Sequence, residues 1–161
     1  MIAIGATVPE IDVYDGKGAA PIPVFFDRDG LLVFFRDNCR RCDGVLGLAA
    51  AIGRRARKLS VIGVSQETIE DTAEQLNRIG VRLPVVIDDR PYRASAAFGI
   101  EQLPALALIR DDAVAWVSDG CPAADLTALP GELADWVGDK PFDLHPDYRD
   151  STSEASKHLG R

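Results

Sequence analysis

Two cysteines in a C-x-x-C spacing, Cys39 and Cys42, are the residues of this 161-residue chain that most directly indicate chemistry. The apolar run at residues 31–35 predicts a buried strand, and a helical pattern begins at the cysteines. A cysteine that begins a helix lies among unpaired backbone N–H groups and at the positive end of the helix dipole, and both favour the thiolate. The same stretch carries three cations, Arg36, Arg40 and Arg41. The stretch therefore predicts a redox-active dithiol.

The composition bounds the protein class. Hydrophobic residues make up 47% and charged residues 27% of the chain, as in ordinary soluble globular proteins. A net charge of −7 gives no basis for nucleic-acid binding. No apolar run approaches the roughly 18 residues of a membrane span, and the first residues lack the basic start and apolar core of a signal peptide. We therefore expect a cytoplasmic protein with no nucleic-acid or membrane partner.

Apolar periodicity predicts an alternation of strands and helices. Strands are expected at residues 24–26, 31–35, 61–65, 85–87, 105–109 and 114–117, and helices at residues 42–58, 68–79, 90–98 and 125–137. Residues 11–16 indicate a surface hairpin ahead of them. Strand–helix–strand crossovers give parallel neighbours, and the closing hairpin adds antiparallel strands. The prediction is an α/β domain over residues 1–138, a mixed sheet with helices on both faces, followed by a polar tail at residues 139–161.

These motifs, in this order, resemble the thioredoxin superfamily, and more closely its branch of thiol–disulfide oxidoreductases and peroxiredoxin-like antioxidant proteins. Residues 5–11 are similar to the N-terminal extension of that branch, and residues 34–42 to its strand–helix junction with a C-x-x-C site. Residues 61–65 are similar to its second parallel strand, and residues 98–105 to the loop that carries its cis-proline. The resemblance covers about residues 3–137 and implies a thioredoxin-like fold with an N-terminal extension.

The resemblance also implies roles for single residues. Cys39 would be the nucleophile and Cys42 would resolve the mixed disulfide, an order that agrees with the position of Cys39 at the exposed start of the helix. Pro104 would be the cis-proline, whose missing N–H and fixed φ shape a groove for a substrate chain. We place Leu103 and Arg36 beside it as substrate-binding residues.

The chain departs from the family pattern around the dithiol. Many thioredoxins have Gly-Pro between the cysteines, whereas Arg40 and Arg41 stand here; two cations favour the thiolate and predict a more oxidising disulfide. Val33 occupies the position of the buried acid of thioredoxins. Leu32 and Arg36 occupy the positions of the Pro and Thr of typical peroxiredoxins. The usual assisting groups are therefore absent from these positions.

Arg36 has two interpretations. It either orients a substrate or holds the thiolate, or it pairs with a neighbouring carboxylate, Asp37 or Asp43. The sequence favours neither.

Cys121 is the third cysteine, and the predicted topology brings it to the same sheet edge as Cys39. It is either an auxiliary thiol that resolves Cys39 or, as we favour, a buried small apolar residue. A zinc site needs four ligands, and besides the dithiol the chain offers only Cys121 and the scattered His145 and His158. Redox chemistry is therefore favoured, and no metal is expected.

The favoured function is a thiol–disulfide oxidoreductase acting on protein or small-molecule disulfides, without a cofactor and regenerated by an unidentified cellular reductant. The first alternative is a thiol peroxidase, in which Cys39 attacks a hydroperoxide and Cys42 or Cys121 resolves the sulfenic acid. The second alternative is a non-enzymatic redox-sensing module whose dithiol changes the affinity for a partner.

Overall fold

The computed structural model describes residues 1–138, which contain a seven-stranded sheet. Its strands are β1 (Asp12–Tyr14), β2 (Ala19–Pro21), β3 (Gly30–Phe35), β4 (Ser60–Ser65), β5 (Val85–Ile87), β6 (Ala105–Arg110) and β7 (Ala113–Ser118). Their order in the sheet is β2-β1-β5-β4-β3-β6-β7. The strand β3, which leads to the dithiol, therefore lies in the interior of the sheet.

The sheet is mixed, as predicted. Strand β3 pairs in parallel with β4 and antiparallel with β6, while β4 pairs in parallel with β5 and β6 pairs antiparallel with β7. Every residue of β3 is buried. A continuous apolar run suits a strand that is covered on both faces, and this explains why β3 does not alternate between apolar and polar residues.

Five helices accompany the sheet within residues 1–138. They are α1 (Arg40–Arg55), α2 (Ile69–Ile79), α3 (Arg93–Ala97), α4 (Ala123–Glu132) and α5 (Ala134–Val137). The Thr68 side chain caps α2 by accepting a hydrogen bond from the Asp71 N–H, and Gly80 ends it with a φ of 69°. Both signals are visible in the sequence, and the predicted helix is confirmed.

Side chains of β3 divide between two apolar cores. Leu31, Val33 and Phe35 pack in a core with residues of α1, α2, α4 and α5, while Leu32 and Phe34 pack in a second core with residues of α3 and the N-terminal segment. This alternation follows from the two-residue period of a strand. Helices on both faces of the sheet, as predicted, hold the end of β3 in place.

The N-terminal hairpin is more integral than predicted. Strands β1 and β2 form it, but Tyr14 also pairs with Ile87 of β5, so the hairpin extends the main sheet. The predicted hairpin is confirmed, but the Val13 side chain, only 2% exposed, belongs to an apolar core. The preceding segment lies along β7, where Thr7 forms a bridge with Ala113.

Three predicted elements differ in detail. Residues 24–26 do not form a strand; a 3-10 turn spans Ile22–Phe25, and Pro23 within it has the fixed φ that suits a helical turn. Helix α3 begins only at Arg93, after Pro91, because the residue before a proline disfavours the helical conformation. The last predicted helix is divided at Leu133 into α4 and α5.

Residues 139–161, with His145 and His158, lie outside the described residues, and the division of the chain at residue 138 stays a prediction. Within residues 1–138, no helix is long and apolar enough to cross a membrane.

Candidate active site

Cys39 is the N-cap residue of α1, with an extended backbone (φ −138°, ψ 100°). Its Sγ accepts a hydrogen bond from the Cys42 N–H at 3.2 Å, so the sulfur takes the place that a Ser or Asp oxygen takes in most caps. The two cysteines form a disulfide with a Cα–Cα distance of 5.1 Å. A thiolate on Cys39 would accept the same N–H at the positive end of the α1 dipole, which favours the charged form.

The two cysteines differ in exposure, as their assigned roles require. Cys39 is half-buried at the surface end of α1, and Cys42 is fully buried in the core beneath it. Of the two residues, only Cys39 has exposed surface. The structure therefore places the pair at the strand–helix junction that the sequence indicated.

The two arginines between the cysteines have different surroundings. Arg40 is exposed, and its side chain has no hydrogen-bond or ion-pair partner within residues 1–138. Arg41 is half-buried, and its Nη2 donates a hydrogen bond of 2.7 Å to the backbone carbonyl of Cys121. The sequence treated the two as equivalent cations, whereas only Arg41 is fixed to another part of the fold.

Arg36 is exposed and forms no ion pair with either candidate carboxylate. Its Nη1 donates to the backbone carbonyl of Asp37 at 3.2 Å. Arg78 of α2 pairs instead with the carboxylates of Asp37 and Asp43, both at 3.3 Å. The interpretation that Arg36 pairs with Asp37 or Asp43 is therefore wrong, because a cation from a neighbouring helix occupies both carboxylates.

An open groove of about 450 Å³ lies at the end of β3 from which the chain leads to the dithiol. It is lined by Arg36, Gln66 and residues 100–103. The peptide bond between Leu103 and Pro104 is cis. Ala105 pairs with Phe34 in the sheet, and this register brings the loop that ends at Pro104 to the end of β3. The three residues that we assigned to substrate binding are thus at or next to one groove.

The turn at residues 119–121, which follows β7, is hydrogen-bonded to residues 100–103 at the wall of the groove. We call residues 100–103 the groove loop. The Asp119 carboxylate accepts hydrogen bonds from the backbone N–H groups of Glu101 and Gln102, at 3.0 and 2.9 Å. The Gly120 N–H donates to the Gln102 carbonyl at 3.1 Å. Gly120 and Cys121 both have positive φ, 80° and 48°. The Asp-Gly pair signals a turn, but the sequence gave no indication of what the turn would hold.

Cys121 lies at the same edge of the sheet as predicted but has no exposed surface. Burial in the apolar core raises the pKa of its thiol from the usual 9.0 to about 12, although a hydrogen bond with Ser118 and the nearby Arg41 charge act in the opposite direction. Because the thiolate is the reactive form, this rise in the pKa lowers the reactivity of the Cys121 thiol at neutral pH.

Val33, at the position where thioredoxins have a buried acid, is fully buried in the same apolar core as Cys42.

Sequence reasoning missed Gln75 of α2, which is 1% exposed. Its Nε2 donates to the Arg36 carbonyl at 3.1 Å and to the Asp43 carboxylate at 3.0 Å, and its Oε1 has no partner within residues 1–138. Gln75 thereby joins α2 to the end of β3 and to the first turn of α1. No metal-binding group of His, Cys, Asp or Glu residues occurs within that part of the chain.

No protein-family model and no curated protein matches the chain. Solved structures do match it. One is assigned as the thiol:disulfide interchange protein DsbE of Chlorobium tepidum (18% identity, 84% of this chain and 98% of that one, TM-score 0.73). Another is a secreted Mycobacterium tuberculosis disulfide oxidoreductase homologous to DsbE of E. coli (11% identity, 78% and 96%, TM-score 0.63). A third is a thiol:disulfide interchange protein from Bacteroides sp. (16% identity, 91% and 98%, TM-score 0.64).

The chain therefore has the thioredoxin-like fold of thiol–disulfide oxidoreductases, and its own C-x-x-C pair, Cys39 and Cys42, is disulfide-bonded. Two of these structural neighbours are described as DsbE or homologous to DsbE, and one of the two is described as secreted. They do not fit the cytoplasmic location that we expected from the sequence, and that expectation is contradicted.

Proposed function

We propose that the protein is a thiol–disulfide oxidoreductase that reduces or exchanges the disulfides of other proteins through Cys39 and Cys42. The observation that carries this proposal is the half-buried Cys39, whose sulfur caps α1 and is bonded to a fully buried Cys42. In such a pair, the first cysteine forms the mixed disulfide with a partner, and the second cysteine then resolves it.

The reductive cycle begins with the Cys39 thiolate, which attacks one sulfur of a substrate disulfide. A Cys39–substrate disulfide forms, and the other substrate sulfur leaves as a thiolate. Cys42 loses its proton and attacks the Cys39 sulfur, so that the Cys39–Cys42 bond forms and the second substrate thiolate is released. The substrate gains two electrons and the dithiol loses them. A thiol reductant restores the dithiol by the same steps in reverse order.

The groove beside the dithiol is the proposed binding site for the substrate chain. Pro104 has no N–H, and Leu103 precedes it at the wall of the groove, so an extended segment could lie there with its cystine facing Cys39. The exposed guanidinium of Arg36 donates one hydrogen bond to the Asp37 carbonyl, and its other N–H groups are proposed to bind a carbonyl or carboxylate of that segment.

Cys121 has no part in the proposed cycle. A thiol whose pKa is raised to about 12 by burial supplies almost no thiolate at neutral pH, and it offers no surface to a mixed disulfide. Resolution by Cys42 alone is therefore proposed, in place of the auxiliary thiol that the sequence left open.

Reduction of insulin by dithiothreitol, followed by turbidity, tests the proposal. The wild-type protein should accelerate the reaction, whereas Cys39→Ser should not. Cys42→Ser should instead accumulate a mixed disulfide on Cys39, visible as a mass increase without reductant. A wild-type protein that is no faster than Cys39→Ser overturns the proposal and leaves the thiol-peroxidase and redox-sensing alternatives.

A further inference from the structure

Arg41 and Arg40 carry the same charge but differ in burial and in hydrogen bonding. Both cations stand in the first turn of α1, where the helix dipole disfavours positive charge. Arg40 extends into solvent, while Arg41 is half-buried and bound to the Cys121 carbonyl at 2.7 Å. A charged donor in a partly shielded site makes a strong hydrogen bond, which offsets the unfavourable position of Arg41.

The carbonyl that Arg41 binds belongs to the 119–121 turn, and this turn holds the substrate groove. Its Asp119 carboxylate accepts the N–H groups of Glu101 and Gln102, and its Gly120 N–H donates to the Gln102 carbonyl. The turn thus contacts α1 on one side and the groove loop on the other. The turn therefore connects, through hydrogen bonds, the helix that carries the dithiol to the loop that lines the proposed substrate groove.

The turn cannot adopt its shape without support. Cys121 has a φ of 48°, a left-handed conformation that residues with a side chain seldom adopt. A Cβ on Gly120 would lie 2.7 Å from the Gln102 side-chain oxygen, so the backbone of the turn and the groove loop are in close contact. A turn of this kind stays in place only where surrounding contacts determine it.

We propose that Arg41 is a positioning residue for disulfide exchange: through the Cys121 carbonyl it fixes the 119–121 turn, and with it the groove loop, relative to Cys39. This inference rests on the proposed function for its kinetic consequence, while its structural consequence is independent of any substrate. Arg40 contributes charge at the same site without this connection.

Four proteins test the inference: the wild type, Arg41→Met, Arg41→Lys and the matched control Arg40→Met. Each Met variant removes one cation from the first turn of α1, but only Arg41→Met removes the bond to Cys121. The first measurement is amide hydrogen exchange of Glu101, Gln102 and Gly120 in the oxidised protein. Loss of a charged hydrogen bond should raise their exchange about tenfold in Arg41→Met, relative to Arg40→Met. Arg41→Lys, which keeps one charged donor, should restore part of the protection.

The second measurement is the KM for insulin under dithiothreitol. Arg41→Met should raise the KM about tenfold relative to Arg40→Met, because the groove loop is no longer held against the dithiol. Equal amide exchange in the two Met variants overturns the inference whatever the kinetics show. If the wild type does not act on insulin, the proposed function fails, and amide exchange still decides whether Arg41 holds the turn.

Discussion

Cys39 and Cys121 lie at the same end of the sheet and border the same apolar core, but they differ in the properties that govern sulfur chemistry. Cys39 caps a helix, is half-buried and accepts a backbone N–H. Cys121 follows a strand, has no exposed surface and has a pKa raised to about 12. Closeness to the site therefore does not make a thiol reactive; the helix start and the access to solvent do.

Substitution of the thiols is the change that should separate the two regions most strongly. Cys39→Ser should lower insulin reduction by at least about 10³-fold, because a hydroxyl is not an effective nucleophile toward a disulfide. Cys121→Ala should stay within about twofold of the wild type, since its thiol is not used. Turbidity assays on both variants measure the difference, with circular dichroism as a control for folding. A comparable loss in Cys121→Ala would return Cys121 to the cycle.

The free energy of unfolding should depend on the buried Cys121 thiol at alkaline pH. The pKa of Cys121 is raised by burial from 9.0 to about 12, so the folded state holds this proton where the unfolded state loses it. The contribution of Cys121 is complete below pH 9 and is lost as the pH rises toward 12. Urea unfolding of the oxidised protein from pH 8 to 11 should therefore show stability falling more steeply for the wild type than for Cys121→Ala. Parallel pH profiles for the two proteins would show that burial does not shift this pKa.

Local patterns in the sequence were sufficient for most of the fold. The apolar run of β3 required two covered faces, and Thr68 and Gly80 marked both ends of α2. The cysteine spacing marked the dithiol in the same way. Each of these features depends on neighbours within one element of the chain, and such neighbours are visible in the sequence.

Features that depend on distant partners could not be predicted. Arg78, on the separate helix α2, forms ion pairs with Asp37 and Asp43. Arg41 donates to a carbonyl that is 80 residues later in the sequence. Both contacts arise only when the sheet brings these segments together. The effect of Arg40 and Arg41 on the reduction potential stays a prediction.

The most direct test of the redox assignment is the oxidation of the fully reduced protein in a stopped-flow instrument, followed by tryptophan fluorescence. One sample is mixed with oxidised glutathione and a second with hydrogen peroxide at the same concentration. Cys39→Ser is the control for both. A thiol–disulfide oxidoreductase should react with the disulfide at least about tenfold faster than with the peroxide. Faster oxidation by hydrogen peroxide would contradict the account and identify a thiol peroxidase.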